Sequence, residues 1–299
     1  MSLSLSSDGI PSVAYMASGI ASSDNGGFLS ELRVSSQAAS WAPEVVDVGP
    51  ISCAGYCDES EACVDRGDFS ECAALTADCD PGCGDTEACV AAVCLATLSE
   101  APGDIPDGVG LFAKLVHQPN GTAVVGYYDG NLRALRIATL SGSTFSLAAT
   151  LDDEILDLGM WLGMAVDSQN IVHLAYQDAA GDRLMYSTFS NGSVLSDAQV
   201  IDSGDRPGDS RTHPVGASAS IMVNADRIPT IVYQDGLTSD AEMYRLESGS
   251  WQRTSIRSGD RLDGFHISTV RDGDTMLMSH YFYDRSANRL GELEIVTLP

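Results

Sequence analysis

Short runs in which apolar and polar residues alternate recur along this chain, and most of them end on an aromatic residue. They are GIPSVAYMA near Tyr15, GTAVVGYYDG around Tyr127, NIVHLAYQDA around Tyr176, RIPTIVYQDG around Tyr233 and TMLMSHYFYDR around Phe282. Each is rich in β-branched residues and is preceded by a glycine or a polar turn, which is how a strand reads in sequence. Four of the five close on aromatic-x-Asp, at Asp129, Asp178, Asp235 and Asp284.

The last four runs are spaced 49, 57 and 49 residues apart, and further strand-like runs flank each one. In the third copy the order is WLGMAVDSQ, IVHLAYQD, DRLMYSTFS and VLSDAQVID; in the fourth it is SASIMVNAD, PTIVYQD, AEMYRLES and WQRTSIRS. Hardly any stretch has the 3.6-residue period of an amphipathic helix. Four antiparallel strands repeated about every 50 residues predict the blades of an all-β propeller. Five blades are recognisable, and the last runs only to its third strand, GELEIVTLP. A β-sandwich is the competing architecture, but it gives no reason for the same ending on each second strand.

All eight cysteines interrupt this repeat between residues 53 and 94, in a duplicated spacing. CAGYCDESEACV supplies Cys53, Cys57 and Cys63, with Cys72 closing the copy; CDPGCGDTEACV supplies Cys79, Cys83 and Cys89, with Cys94 closing it. Even number, tight clustering and duplication predict two small two-bridge disulfide units. Structural zinc is the rival, but it favours cysteine pairs two to four residues apart and often recruits histidine, and no histidine precedes His117. Four cysteines allow three pairings; first-to-third and second-to-fourth is the preferred one. The expected organisation is therefore blade one at 1–48, a cysteine-rich insert with linkers at 49–104, and blades two to five at 105–299.

Composition adds a compartment and narrows the partners. At 44% hydrophobic and 19% charged residues the chain is globular. Disulfides imply an oxidising, extracellular or cell-surface setting, while MSLSLSSDG lacks the features of an export signal, so a mature or excised product is expected. The net charge is −26, from 42 acidic against 16 basic residues. Nucleic acid and anionic membranes are disfavoured, because both are bound through clustered lysine and arginine, and no run is long and apolar enough to span a bilayer.

Strand alternation puts the loops after strands two and four on one face. That face would hold the insert, the four repeated aspartates, and Asp104, Asp107, Asp152, Asp153, Glu154, Asp157, Asp202, Asp205, Asp209, Asp260 and Asp263. An aspartate leaving a strand commonly fixes the following turn. Calcium is the cofactor such loops would take if they bind one, with Asp202, Asp205 and Asp209, or Asp152, Asp153 and Asp157, as candidate ligands. His213 and His266 open first strands near the axis, so with Asp129, Asp178, Asp235 and Asp284 they form the candidate ligand face. His173 and His280 sit on second strands and read as packing residues.

The blades resemble those of secreted bacterial β-propeller repeat proteins with sialidase-like (BNR-like) repeats, in which a typical blade reads vd-x-x-G-x-(P)-h-v-a-Y-x-D, here with a tandem cysteine-rich insert. The resemblance implies a propeller of about 250 residues; SSDNGGFL at 22–29 is only a partial copy of the sialidase Asp-box. First strands are mostly uncharged (LFAKLV, WLGMAV, SASIMV, HISTV), and no P-loop, nucleophile elbow or HExxH appears. The leading expectation is a non-catalytic binding or adhesion module that recognises a glycan or an extracellular protein through the insert-bearing face. The alternatives are a hydrolase of sialidase or furanosidase type, or a structural subunit whose ring other blades or subunits complete.

Overall fold

The computed structural model describes every residue except 23–26, 55, 67–68, 80–81, 99–106, 197, 258–260, 274 and 285–290. It is an all-β propeller of five antiparallel blades. Blade one contains Ser2–Leu5, Pro11–Ala21, Phe28–Ser36 and Pro43–Ile51; blade two contains Val109–His117, Ala123–Asp129, Ala134–Ser141 and Thr144–Leu151. Blade three has Leu158–Val166, Val172–Asp178 and Arg183–Ser190, with its outer edge shared by the short strands Ser193–Val194 and Gln199–Asp202. Blade four is Val215–Val223, Pro229–Asp235, Asp240–Glu247 and Ser250–Arg257, and blade five is the three-stranded sheet Arg261–Asp272, Thr275–Asp284 and Gly291–Thr297.

The second strands of blades two to four are buried on both faces, as AVVGYYD, VHLAYQD and PTIVYQD require when they lie between two neighbouring blades. Apolar clusters fill the junctions: Leu32 and Val34 meet Leu115 and Tyr127 between blades one and two, and Leu135 meets Leu162 and Tyr176 between blades two and three. Leu184 and Ile201 meet Ile221 and Tyr233 between blades three and four, and Met222 and Met243 meet Ile267 and Met278 between blades four and five.

The first strands of blades two to five share a distortion. Each carries two register shifts against its second strand. At each, a glycine with positive φ is followed two residues later by a non-glycine near φ +53: Gly110 and Phe112, Gly159 and Trp161, Gly216 and Ser218, Gly264 and His266. The glycine is needed for space as well as for φ. A Cβ on Gly159 would lie 3.0 Å from the Leu135 Cα of the preceding blade, and one on Gly110 would lie 3.1 Å from the Leu32 Cα. Such bulges bend a strand and redirect side chains.

The insert folds as two small hairpins, Glu61–Asp65 with Ser70–Ala74 and Glu87–Val90 with Val93–Ala96. Its bridges are Cys53–Cys63, Cys57–Cys72, Cys79–Cys89 and Cys83–Cys94. Tyr56 anchors the insert by stacking on Phe28 at 5.4 Å and donating a hydrogen bond to the Ser18 hydroxyl at 3.0 Å. It therefore leans on blade one.

Replacing Gly159 with alanine should lower stability by about 2 kcal/mol, because left-handed strain and overpacking against Leu135 combine. Gly192 also has positive φ but open space around it, so Gly192→Ala should cost only about 1 kcal/mol. Equal losses in thermal melts of the two variants would refute the close-approach account.

Candidate functional site

The bulges aim their side chains at the axis. Phe112, Trp161, Ser218 and His266, one from each of four successive blades, line a cavity of ≈ 320 Å³ with Met1 and Lys114. The Phe112 and Trp161 rings lie 5.0 Å apart and tilted by 47°, while Tyr128 meets the Phe112 ring edge-on at 6.3 Å. The His266 backbone N–H donates to the Ser218 hydroxyl at 3.2 Å, so adjacent blades are joined at the cavity wall. Lys114 is half-buried, and desolvation lowers its pKa below the usual lysine range. Aromatic faces and convergent polar groups in one concavity suit a small, partly apolar ligand.

His266 is the one member of the sequence-derived ligand face that reaches this cavity. Asp129, Asp178 and Asp235 are buried, and they fix the turns that follow them. Asp129 accepts from the Asn131 and Leu132 N–H groups, Asp178 from Ala180 and Asp157, and Asp235 from Leu237 and Thr238. Each is also neutralised by arginine: Arg136 at 3.0 Å from Asp129, Arg183 at 2.6 Å from Asp178 and Arg206 at 2.9 Å from Asp235. These carboxylates thus serve turns and arginine pairs in this structure. Asp284 ends its strand opposite Arg261 in the register.

The first candidate cation loop is occupied by arginine pairs. Arg206 donates to both oxygens of Asp202 at 2.9 Å, and Asp202 also accepts from the Tyr233 hydroxyl and the Gly204 N–H. Arg211 pairs with Asp209 at 2.7 Å, and Asp205 accepts from the Ser203 hydroxyl. A guanidinium thus supplies the charge that an ion would bring. His213 is buried in the same network, with Nδ1 2.7 Å from Asp235 and Nε2 3.3 Å from Asp209. In the second loop Asp153 caps the Ile155 N–H and Asp157 accepts from the Tyr128 hydroxyl; with Asp152 they form no convergent set among the described residues. Asp104 and Asp260 lie outside the described residues.

Burial opposes ionisation of Asp202, but hydrogen bonds from Arg206 and Tyr233 outweigh it and hold the carboxyl below its ordinary range. Asp235 is likewise held low, with His213 and Arg206 outweighing burial. A related junction joins blades one and two, where Tyr127 donates to Asp47 and Arg136 bridges Asp47 and Asp129. His280, read as a packing residue, lies 3.2 Å from Glu294 and 3.8 Å from Asp263, and Arg261 also reaches both carboxylates.

Phe112, Lys114, Trp161 and Ser218 were not among the sequence-derived candidates. Their signal is Gly-x-residue at the start of each first strand: GLF, GMW, GAS and GFH. It is a conformational repeat without a chemical one.

No protein-family model matches this chain. No curated protein sequence matches it significantly. Solved structures of similar shape include an α-L-arabinanase from Penicillium chrysogenum complexed with arabinobiose, 11% identical, TM-score 0.47, with the match covering 62% of this chain and 61% of that one. A GH43 endo-arabinanase from Bacillus licheniformis is 11% identical over 100% of this chain and 92% of that one, TM-score 0.42. The Aleuria aurantia lectin is 12% identical over 100% and 94%, TM-score 0.40. At this level the likeness describes the fold, and no residue is carried across. The expected non-catalytic module working through the insert-bearing face is nevertheless corrected. The cavity is lined mainly by the first strands of blades two to five, with no insert residue in its lining.

Both depressed carboxylates stabilise the fold above their unfolded pKa near 4 and cease to do so as pH falls through their lower folded values. Arg206→Met leaves Asp202 buried without its guanidinium and Asp235 with His213 alone, so it should cost about 3 kcal/mol at pH 7. It should also flatten the loss of stability between pH 5 and 2. Melting temperatures across that range check both, and an unchanged value at pH 7 would show that the network does not stabilise the fold.

Proposed function

We propose that this protein is an exported, carbohydrate-active hydrolase that works on a neutral glycan at the axial cavity. The observation that carries the reading is the convergence of Phe112, Trp161, Ser218, His266 and Lys114 on that cavity. The tilted Trp161 and Phe112 rings offer apolar faces to a sugar ring, and Ser218 and His266 can exchange hydrogen bonds with its hydroxyls. The −26 charge favours a neutral substrate over an anionic one, and the four disulfides support an extracellular setting.

Most glycosidases divide the proton transfers between two carboxylates. Among the described residues the cavity lining has no carboxylate, so in this reading the transfers fall to Lys114 and His266. A lysine whose ammonium is destabilised by burial is the stronger acid toward a leaving oxygen.

Neutral oligosaccharides, with arabino-oligosaccharides tried first, should yield new reducing ends when incubated with the protein. Lys114→Met should lower kcat by at least about 100-fold, and Trp161→Ala should raise KM by roughly 10-fold. Binding without any bond cleavage, or an unaltered rate in Lys114→Met, would overturn the hydrolase reading.

A further inference from the structure

Five blades closed into a ring would have five junctions, and four buried clusters join successive blades here: one to two, two to three, three to four and four to five. Among the described residues no buried cluster joins blade five to blade one. The faces flanking that seam carry exposed apolar residues, and the blade-five face carries them without a charge in its central rows.

On blade five, register places Val270, Leu277 and Thr297 in one row, Ser268, Ser279 and Ile295 in the next, and Phe265, Tyr281 and Leu293 in a third. These rows face away from blade four, since the alternate row of Thr269, Met278 and Val296 packs on it. Val270, Leu293 and Ile295 are 59%, 71% and 69% exposed. The three rows contain no charged residue in a chain with 42 acidic ones. On blade one, Ala14, Leu32 and Val34 face blade two, and the opposite face carries Leu3, 66% exposed, with Leu5, Val45 and Val48 around the Arg33–Glu31 ion pair. An exposed, uncharged apolar face such as that of blade five marks an interaction site.

We propose that the seam between blades five and one is a docking site for one additional four-stranded blade of the chain's own repeat type. The four existing junctions say what covers such a face: each apolar blade face is buried by the next blade, and the seam continues that series. Among the described residues Gly291–Thr297 is the outer strand of the blade-five sheet, and an outer strand can take a further strand by forming a ladder. A whole second copy fits less well. It would cover one flank and leave the other open, a head-to-tail contact that propagates without closing, and it would bring two −26 charges together. A single blade covers both flanks. This inference rests on the blade packing and stands apart from the hydrolase reading.

The test compares residues 1–299 with the same chain extended after Pro299 by a copy of its residues 199–257, which supply a fourth strand, a connecting loop and a complete blade. The extended protein should be monomeric by light scattering, should bind less of a hydrophobic-surface dye, and should melt roughly 5–10 °C higher. Ile295→Asp should abolish that gain in the extended protein and leave the 1–299 chain within about 1 °C, because its side chain there meets solvent. An extension that leaves melting unchanged would overturn the proposal. So would a large loss from Ile295→Asp in the unextended chain, or a stable dimer of that chain that buries the dye-binding surface. If the extended protein does not fold, the unextended chain still decides: Leu293→Lys with Ile295→Lys should halve dye binding without lowering its melting temperature, and a fall in melting temperature would show the face already covered.

Discussion

Inner strands can crowd around a common axis only if each backbone comes within side-chain distance of the blade before it. Gly110, Gly159 and Gly216 meet that requirement, with a Cα of the preceding blade 3.1, 3.0 and 3.2 Å from where each Cβ would sit. The compression is relieved by two register shifts per strand, and the relief places a left-handed residue two positions on. Left-handed φ costs a residue with a Cβ roughly 1 kcal/mol, and strained positions of this kind gather at functional sites. The packing of the ring and the composition of its cavity are therefore one problem. The same bulges that let the blades approach decide which four side chains look inward.

A second constraint comes from charge. With 42 carboxylates and 16 basic residues, the chain has few cations to place, and several of its arginines stand where a buried aspartate fixes a turn or a junction. Arg136 spans blades one and two, and Arg206 spans blades three and four. The acidic face is thus partly internally compensated. Exposed acids such as Asp107 and Asp152 carry solubility, while Asp178 and Asp235 carry architecture.

Much of the fold could be read from sequence, because blades repeat in both pattern and length: the Tyr-x-Asp endings marked second strands, and the duplicated cysteines marked the insert. The site was less legible for two reasons. Alternation identifies the face of a strand only while the register is unbroken, and each first strand has two breaks just where the cavity begins. Phe, Trp, Ser and His share no chemistry, so nothing in their identity marks them as equivalent; only the glycine two positions earlier does. The aspartates misled in the opposite direction. Asp202 and Asp209 are close in sequence to other acids, but Asp202 takes its partners from Arg206 and from Tyr233 in the next blade, and the second of these contacts is invisible in a local window.

The lysine count has a practical side. Lys114 is the chain's single lysine, and it lines the cavity beside Met1. An amine-directed acylating or reductive-alkylating reagent therefore meets one side-chain amine in these 299 residues, the ε-amine of Lys114. A fluorophore or spin label attached by that route would report from the axial cavity without any engineered attachment point, and occupancy of the cavity could be followed as protection of one amine.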